Sequence, residues 1–327
     1  MACQNPHTTS LAHAPQSPFP LGRRVGKLVT RLGSGLLAAG LSLSMALPSF
    51  AADPFRSSSA AHDIGDKTEA AFKAIFKEGN YVAAERYLAE AELEESDEPL
   101  VHAMLASMAY LKGDDGLPEV LRRAMLTQEK AQALLEKDPL RGHLYTAVGI
   151  FLEGAHVLKT QGIANGTPRA LGMLQQVFRE LDDAEAINPD DPELNLLKGY
   201  MDLMLAVNLP FSNPEEAITR MSEYGSPEYL AQRGIAIGYR DLERPDAAMI
   251  AVDKALSAAP NNPELFYLKA QILNRQGDRA ESIDFFDRAL DYSAQLPDAL
   301  VTRITWERCV TVGGPDVNNC SVAAGYI

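Results

Sequence analysis

The sequence predicts an all-α protein: a solenoid of antiparallel helix pairs closed by a C-terminal capping helix. Three observations predict it. From Asp66 to about Cys309 the chain is rich in Ala, Leu and Glu and lacks β-branched runs with period-two alternation. A single start signal recurs at Asp138-Pro139, Thr167-Pro168, Asp191-Pro192, Asn213-Pro214, Ser226-Pro227 and Asn262-Pro263. Its first residue can cap free backbone N–H groups, and proline at the first helical position loses no hydrogen bond. Glu193, Glu215, Glu228 and Glu264 follow directly, placing negative charge at the positive end of the helix dipole. Finally, the segments Pro260–Leu265 and Leu268–Ala270 echo Pro189–Leu194 and Leu197–Gly199 at an offset of 71 residues, two 34-residue repeats plus three.

The repeats place the elements. In a unit over 229–262, Ile235, Ala236, Tyr239, Ala248, Ala255 and Pro260 form a large–small–large–small–small–proline series. In the next, over 263–296, Phe266, Ala270, Leu273, Gly277, Phe286 and Ala289 do the same, with Ser282 in place of one small alanine. Small residues let two antiparallel helices approach, and large ones fill the groove between them. Gly79 and Gly113 close the first helices of units at 65–98 and 99–132. Residues 139–187 depart from this pattern, reading as two longer helices, about 139–160 and 168–187, joined by a Gly-containing turn from Gln161 to Thr167. The 192–225 unit carries an insertion, Asn208 to Asn213. Residues 297–309, with Leu300, Ile304 and Trp306, read as the cap, and 310–327 as an irregular tail. A solenoid has no single core, so its ends need such caps.

This pattern resembles the tetratricopeptide repeat superfamily, clearly over 192–296 and more weakly over 65–132. The resemblance implies a tetratricopeptide-type antiparallel helix-pair solenoid. The stretch 53–309 also resembles a family of exported cyanobacterial repeat proteins. Its carrying segments are Asp53-Pro54-Phe55-Arg56, Ile64-Gly65-Asp66-Lys67-Thr68-Glu69-Ala70-Ala71-Phe72-Lys73, Asp138-Pro139-Leu140-Arg141-Gly142 and 198–210. That likeness implies export and no assigned activity.

Residues 1–51 read as a signal peptide. Arg23, Arg24, Lys27 and Arg31 precede an apolar run from Leu36 to Leu47, and Pro48-Ser49-Phe50-Ala51 offers a cleavage site. The run is too short to span a bilayer comfortably, which takes about 20 residues. Gly26 weakens the likeness of Arg23-Arg24 to a twin-arginine motif, favouring ordinary secretory export. The destination is the periplasm or, alternatively, a thylakoid lumen. Residues 52–65 then read as a flexible segment. Removing residues 1–51 takes the formal charge from −14 to −18, since they hold four basic residues and no acid. Such a polyanion disfavours nucleic acid and anionic surfaces. Cys309 and Cys320 remain, leaving open a disulfide or two unrelated thiols.

The leading functional expectation is a scaffold for an unknown protein or peptide partner, bound on the concave face formed by first helices. By analogy with the superfamily, that groove takes Leu196, Tyr200, Leu203 and Met204 from one repeat and Arg233, Ile237 and Arg240 from the next. Tyr267, Gln271, Asn274 and Arg275 come from the last: an apolar stretch beside a modestly basic one. Leu203 and Met204 read equally as packing residues. Ile237 stands where the superfamily's carboxylate clamp wants asparagine, which argues against that use of Arg233. The alternative is a carrier of an apolar small molecule, a pigment, lipid or cell-wall fragment, framed by 139–187 and Leu209-Pro210-Phe211. Catalysis is not expected: His62, His102, His143 and His156 lack metal-ligand spacing, and no phosphate loop or nucleophile constellation is visible. No cofactor or metal is expected. His143 and Glu153 would meet only through the tertiary fold.

Overall fold

The computed structural model describes residues 53–57, 60–208, 213–313 and 317–325. The signal-peptide reading and the Leu209-Pro210-Phe211 insertion lie outside them. Residues 48–327 form a compact unit of their own. Among the described residues the fold is a tetratricopeptide-type solenoid of antiparallel helix pairs, with a capping C-terminal helix.

The first pair is α1 (Asp66–Phe72), continued by a wider π turn over Lys73–Lys77, and α2 (Tyr81–Glu94). Then come α3 (Pro99–Tyr110) with α4 (Leu117–Leu134), and α5 (Pro139–Ile187), itself a hairpin. The later pairs are α6 (Pro192–Asn208) with α7 (Pro214–Glu223), α8 (Glu228–Asp241) with α9 (Pro245–Ala258), and α10 (Pro263–Gln276) with α11 (Arg279–Leu290). The chain finishes with α12 (Asp298–Gly313) and α13 (Val317–Ala324).

Three of the six start signals cap as the chemistry requires, while Asn213 and Ser226 precede helices without a side-chain cap. Asp138 accepts a hydrogen bond from Arg141 N, Asp191 from Leu194 N at 3.0 Å, and Asn262 from Glu264 N at 2.9 Å. Thr167-Pro168 does not start a helix. The α5 hairpin breaks earlier, at Gly162, whose φ of 72° and ψ of 163° belong to a region open essentially to glycine. The second limb therefore begins at residue 163, Pro168 sits within it, and the expected seven-residue turn shrinks to one residue.

Two further expectations are corrected. The segment read as flexible is packed: Asp53, Phe55 and Ile64 are buried, and the Phe55 ring meets Phe72 edge-on at 4.8 Å. Apolar and charged anchors in one short stretch hold it to the repeats. The tail read as irregular is helical over α12 and α13, which a Cys309–Cys320 disulfide joins with a Cα–Cα distance of 5.5 Å.

The stack also closes on itself. Asn262 Nδ2, at the start of α10, donates to Phe76 O in the π turn at 3.0 Å, and Tyr81 OH donates to Glu264 at 2.8 Å. Gln295 Nε2 reaches the carbonyls of Glu78 and Gly79. Gly79 has φ +61°, and a Cβ there would stand 2.8 Å from Pro263, so this seam requires glycine twice over. Accordingly one buried apolar cluster runs from Phe55 and Phe72 through Leu196 and Leu203 to Leu265 and Ile272. First and last repeats share a core, unlike those of an open solenoid.

Candidate functional site

Closure encloses a bore lined by α1, α3, the first limb of α5, α6 and α8. Two neighbouring cavities occupy it, of about 610 and 880 Å³. Both are bounded by Phe76, Ser107, Phe151, Leu152, Met204 and Arg233. The first extends to Phe72, Tyr200 and Ile237, the second to Leu158, Leu171 and Leu174 between the α5 limbs.

The central polar groups on these walls are committed within the protein. Ser107 Oγ donates to Ala103 O at 3.0 Å, and Tyr200 OH to Leu230 O at 2.8 Å. Arg233 Nη2 donates to Glu264, which also accepts from Tyr81. Burial alone would lower the Arg233 pKa, but the Glu264 carboxylate more than offsets that and keeps the guanidinium charged. Burial raises the Tyr81 and Tyr200 phenols above their ordinary range, so both remain protonated donors. The bore is thus mainly a carbon surface, with the Arg233–Glu264 ion pair on its wall and with Asp241 and Lys159 bordering the first and second cavities.

Among the residues expected to line a groove, the fold separates two sets. Tyr200, Met204, Arg233 and Ile237 face the bore, together with the buried side chains of Leu196 and Leu203. Met204 is 43% exposed and borders both cavities. The second set lies beyond, under the cap. Arg240 donates to Asp241 at 2.8 Å and to Gln271, while Gln271 and Tyr267 donate to Glu307 of α12 at 2.8 and 2.7 Å. Arg275 donates to the Arg240 carbonyl and stands 3.6 Å from Asp241, and Asn274 is exposed. The basic stretch expected from sequence is therefore partly offset within the fold: Arg233 meets Glu264, while Arg240 and Arg275 share Asp241.

Sequence reasoning missed the bore's closest support. Arg56 Nε and Nη2 grip Asp191 at 2.7 and 2.8 Å, Nη2 also reaches Glu193 at 3.0 Å, and Nη1 reaches Asp53 at 2.9 Å. Beside it Arg141 makes a bidentate pair with Glu98 at 3.0 and 2.7 Å, approaches Glu193 at 3.4 Å, and lies over the Tyr145 ring. Tyr145 OH donates to Glu193. Burial would lower the Arg56 pKa, but Glu193, Asp191 and Asp53 outweigh it and hold the side chain charged. This network lies directly behind Phe55 and Tyr145, which line the first cavity. Its signal was present as Asp53-Pro54-Phe55-Arg56, but partners 135 and 137 residues away leave no local pattern.

Elsewhere, His143 Nδ1 meets Glu180 at 2.8 Å rather than Glu153, which pairs with Arg169 at 3.0 Å. His143, Glu180 and Asp183 bring ligand-type atoms within 4.8 Å of one another, away from the residues lining the bore. Asp202 of α6 is half-buried. Burial raises its carboxyl pKa, Lys198 and Arg220 lower it, and Glu216 and Glu185 raise it further. Because the folded pKa lies above the unfolded one, ionised Asp202 opposes folding at neutral pH, and that penalty fades as pH falls through the folded pKa and is gone below the unfolded value. Asp202→Asn is expected to raise the melting temperature at pH 7. Melts repeated in increasing acid should show the gain vanish.

Residues 263–296 match the family model for the tetratricopeptide repeat. No curated protein matches the chain. Among solved structures, PilW, a widely conserved type IV pilus biogenesis factor, aligns at 16% identity and a TM-score of 0.44, covering 70% of this chain and 94% of its own. TTC0263, a thermophilic tetratricopeptide-repeat protein from Thermus thermophilus, aligns at 17% identity and a TM-score of 0.31, covering 76% and 97%. The repeat match and the helix-pair architecture agree on the fold. No helix among the described residues is long and apolar enough to cross a membrane.

Proposed function

We propose that this chain is an exported, non-catalytic binding scaffold that takes an apolar helical segment of a partner protein into its bore. Export, to the periplasm or a thylakoid lumen, rests on the leader pattern of residues 1–51 and on the resemblance to exported repeat proteins. The observation that carries the binding reading is the commitment of wall polar groups within the protein: Ser107 to Ala103, Tyr200 to Leu230, and Arg233 to Glu264. An extended peptide would bring bare N–H and C=O groups to a surface with few partners for them, at about 1–3 kcal/mol per stranded group. A helix brings its own hydrogen bonds and needs only carbon contact. Arg240 and Arg275 are already engaged by Asp241, which favours the apolar bore over the polar end as the binding surface.

A second reading, an apolar small-molecule carrier, is favoured by volume. Both cavities fall within the roughly 300–1,000 Å³ of small-molecule pockets. One experiment addresses both. Met204→Glu places a carboxylate on the wall common to the two cavities, at a position exposed enough to tolerate it. Capture of a specific protein by the tagged chain, weakened at least about tenfold by this change, is the expected result. A copurifying small molecule in native mass spectra, lost in the variant, would favour the carrier. Capture unaffected by Met204→Glu, with no bound molecule, would remove the bore from consideration.

A further inference from the structure

The α5 hairpin is 49 residues long, against 34 for a complete helix-pair repeat. Its distal part differs in chemistry from the rest of the chain. Residues 154–179 contain no Asp or Glu, the longest such stretch beyond Ala52, and carry His156, Lys159, Arg169 and Arg179. The tip exposes apolar side chains: Ile163 is 80% exposed, Leu171 54% and Leu158 37%. Gly162 makes the reversal between the limbs, leaving Ile163 as the first residue beyond it. The two cations flanking this tip are themselves accessible. Lys159 lies 3.7 Å from Asp114 and Arg169 3.0 Å from Glu153, with side chains 46% and 57% exposed. Ion pairs that open contribute at most about 1 kcal/mol, so an anionic ligand can compete for both cations.

We propose that this hairpin tip docks on an anionic lipid bilayer, with Ile163, Leu171 and Leu158 entering the headgroup–acyl boundary and Lys159 and Arg169 meeting lipid phosphates. Two features select a bilayer over a protein partner. A stable protein interface buries about 800 Å² per side, more than three side chains around a reversal provide, whereas shallow insertion needs only a few apolar residues with flanking cations. The remainder of the chain beyond residue 51 is strongly acidic, so an anionic surface repels it and favours approach through residues 154–179, which hold no acid of their own and whose cations offset the adjoining Asp114 and Glu153. Leu158, Lys159, Thr167 and Leu171 also border the 880 Å³ cavity, so docking brings that cavity's rim to the bilayer. This inference stands independently of what occupies the bore.

The test is flotation of the chain starting at Ala52, which keeps the whole described fold and lacks the apolar leader run. Vesicles are phosphatidylcholine alone or mixed with phosphatidylglycerol. Binding to the anionic vesicles, reduced by salt, is expected. Ile163→Asp with Leu171→Asp should weaken it at least about tenfold, since both positions are solvent-exposed and the charges would enter the boundary layer. Ile250→Asp, at a comparably exposed position on α9, should change nothing. As a readout independent of the acidic changes, Ile163→Trp in a Trp306→Phe background should show a blue-shifted emission on binding. Absence of binding, equal binding to neutral vesicles, undiminished binding of the double variant, or an unshifted emission from the introduced tryptophan would each overturn the proposal.

Discussion

Arg141→Ala is expected to destabilise the protein by about 3–5 kcal/mol, among the largest effects available to a single substitution here. Arg141 is 1% exposed, and its bidentate partner Glu98 and its neighbour Glu193 are buried with it. Removing the guanidinium leaves the Glu98 carboxylate without its bidentate partner in a poorly hydrated interior, leaves Glu193 with Arg56 and the Tyr145 hydroxyl, and strips the cation from above the Tyr145 ring. The loss of attraction is only part of the cost, because the stranded charge also lacks water. A combined Arg141→Met, Glu98→Gln, Glu193→Gln variant should recover much of the stability, since it removes the charges together. Urea unfolding of the three proteins measures this. A loss below about 1 kcal/mol in Arg141→Ala would mean that water reaches the network and that it does not anchor the N-terminal segment.

The second large effect concerns closure. Asn262 is fully buried and serves two purposes: its oxygen caps α10, and its nitrogen donates to Phe76 O across the seam. Asn262→Ala removes both and should cost about 2–3 kcal/mol, about 1 from the cap and the remainder from the stranded Phe76 carbonyl. Asn262→Asp separates the two roles. It keeps the cap acceptor while setting a carboxylate oxygen against the Phe76 carbonyl. If closure depends on this contact, the Asp variant should keep its helix content yet show a larger radius of gyration in solution scattering. An unchanged radius would assign closure instead to the Tyr81–Glu264 and Gln295 contacts and to apolar packing.

Closure bears on function because the bore exists only while the seam holds. Phe76 and Arg233 come from opposite sides of the seam and border both cavities. Opening it should expose the bore and weaken any occupant even with Met204 intact. The Asn262→Asp variant therefore also gives an independent check on the bore as a binding site.

Much of the fold was legible in the chain. Asp or Asn before proline marks helix starts by local chemistry, and the helices at Pro139, Pro192, Pro214 and Pro263 begin there, the last three with glutamate next. The alternation of small and large residues fixes how neighbouring helices pack, because both contact partners lie within one or two repeats. Thr167-Pro168 misled for a related reason. The motif marks where proline is tolerated, whereas the backbone φ at Gly162 decides where the limb begins.

The inner face was legible only in part. Analogy with the superfamily put Tyr200, Met204, Arg233 and Ile237 together on one face, and all four border the first cavity, but such an analogy does not reveal which charges meet. Arg233 and Glu264 lie 31 residues apart on different helices, and only packing brings them together. The same holds for Arg56 with Asp191 and Glu193, and for Asn262 with Phe76, separated by 186 residues. By itself, then, the sequence determined the helices, their pairing and the acidic surface, all of which follow from local capping, periodicity and composition. Only the tertiary structure decided that the stack closes into a bore, that its arginines meet acids of the same fold, and that the N-terminal segment is an anchor. Those outcomes depend on the small rotation accumulated from repeat to repeat, which brings distant ends into contact and has no local signature in the chain.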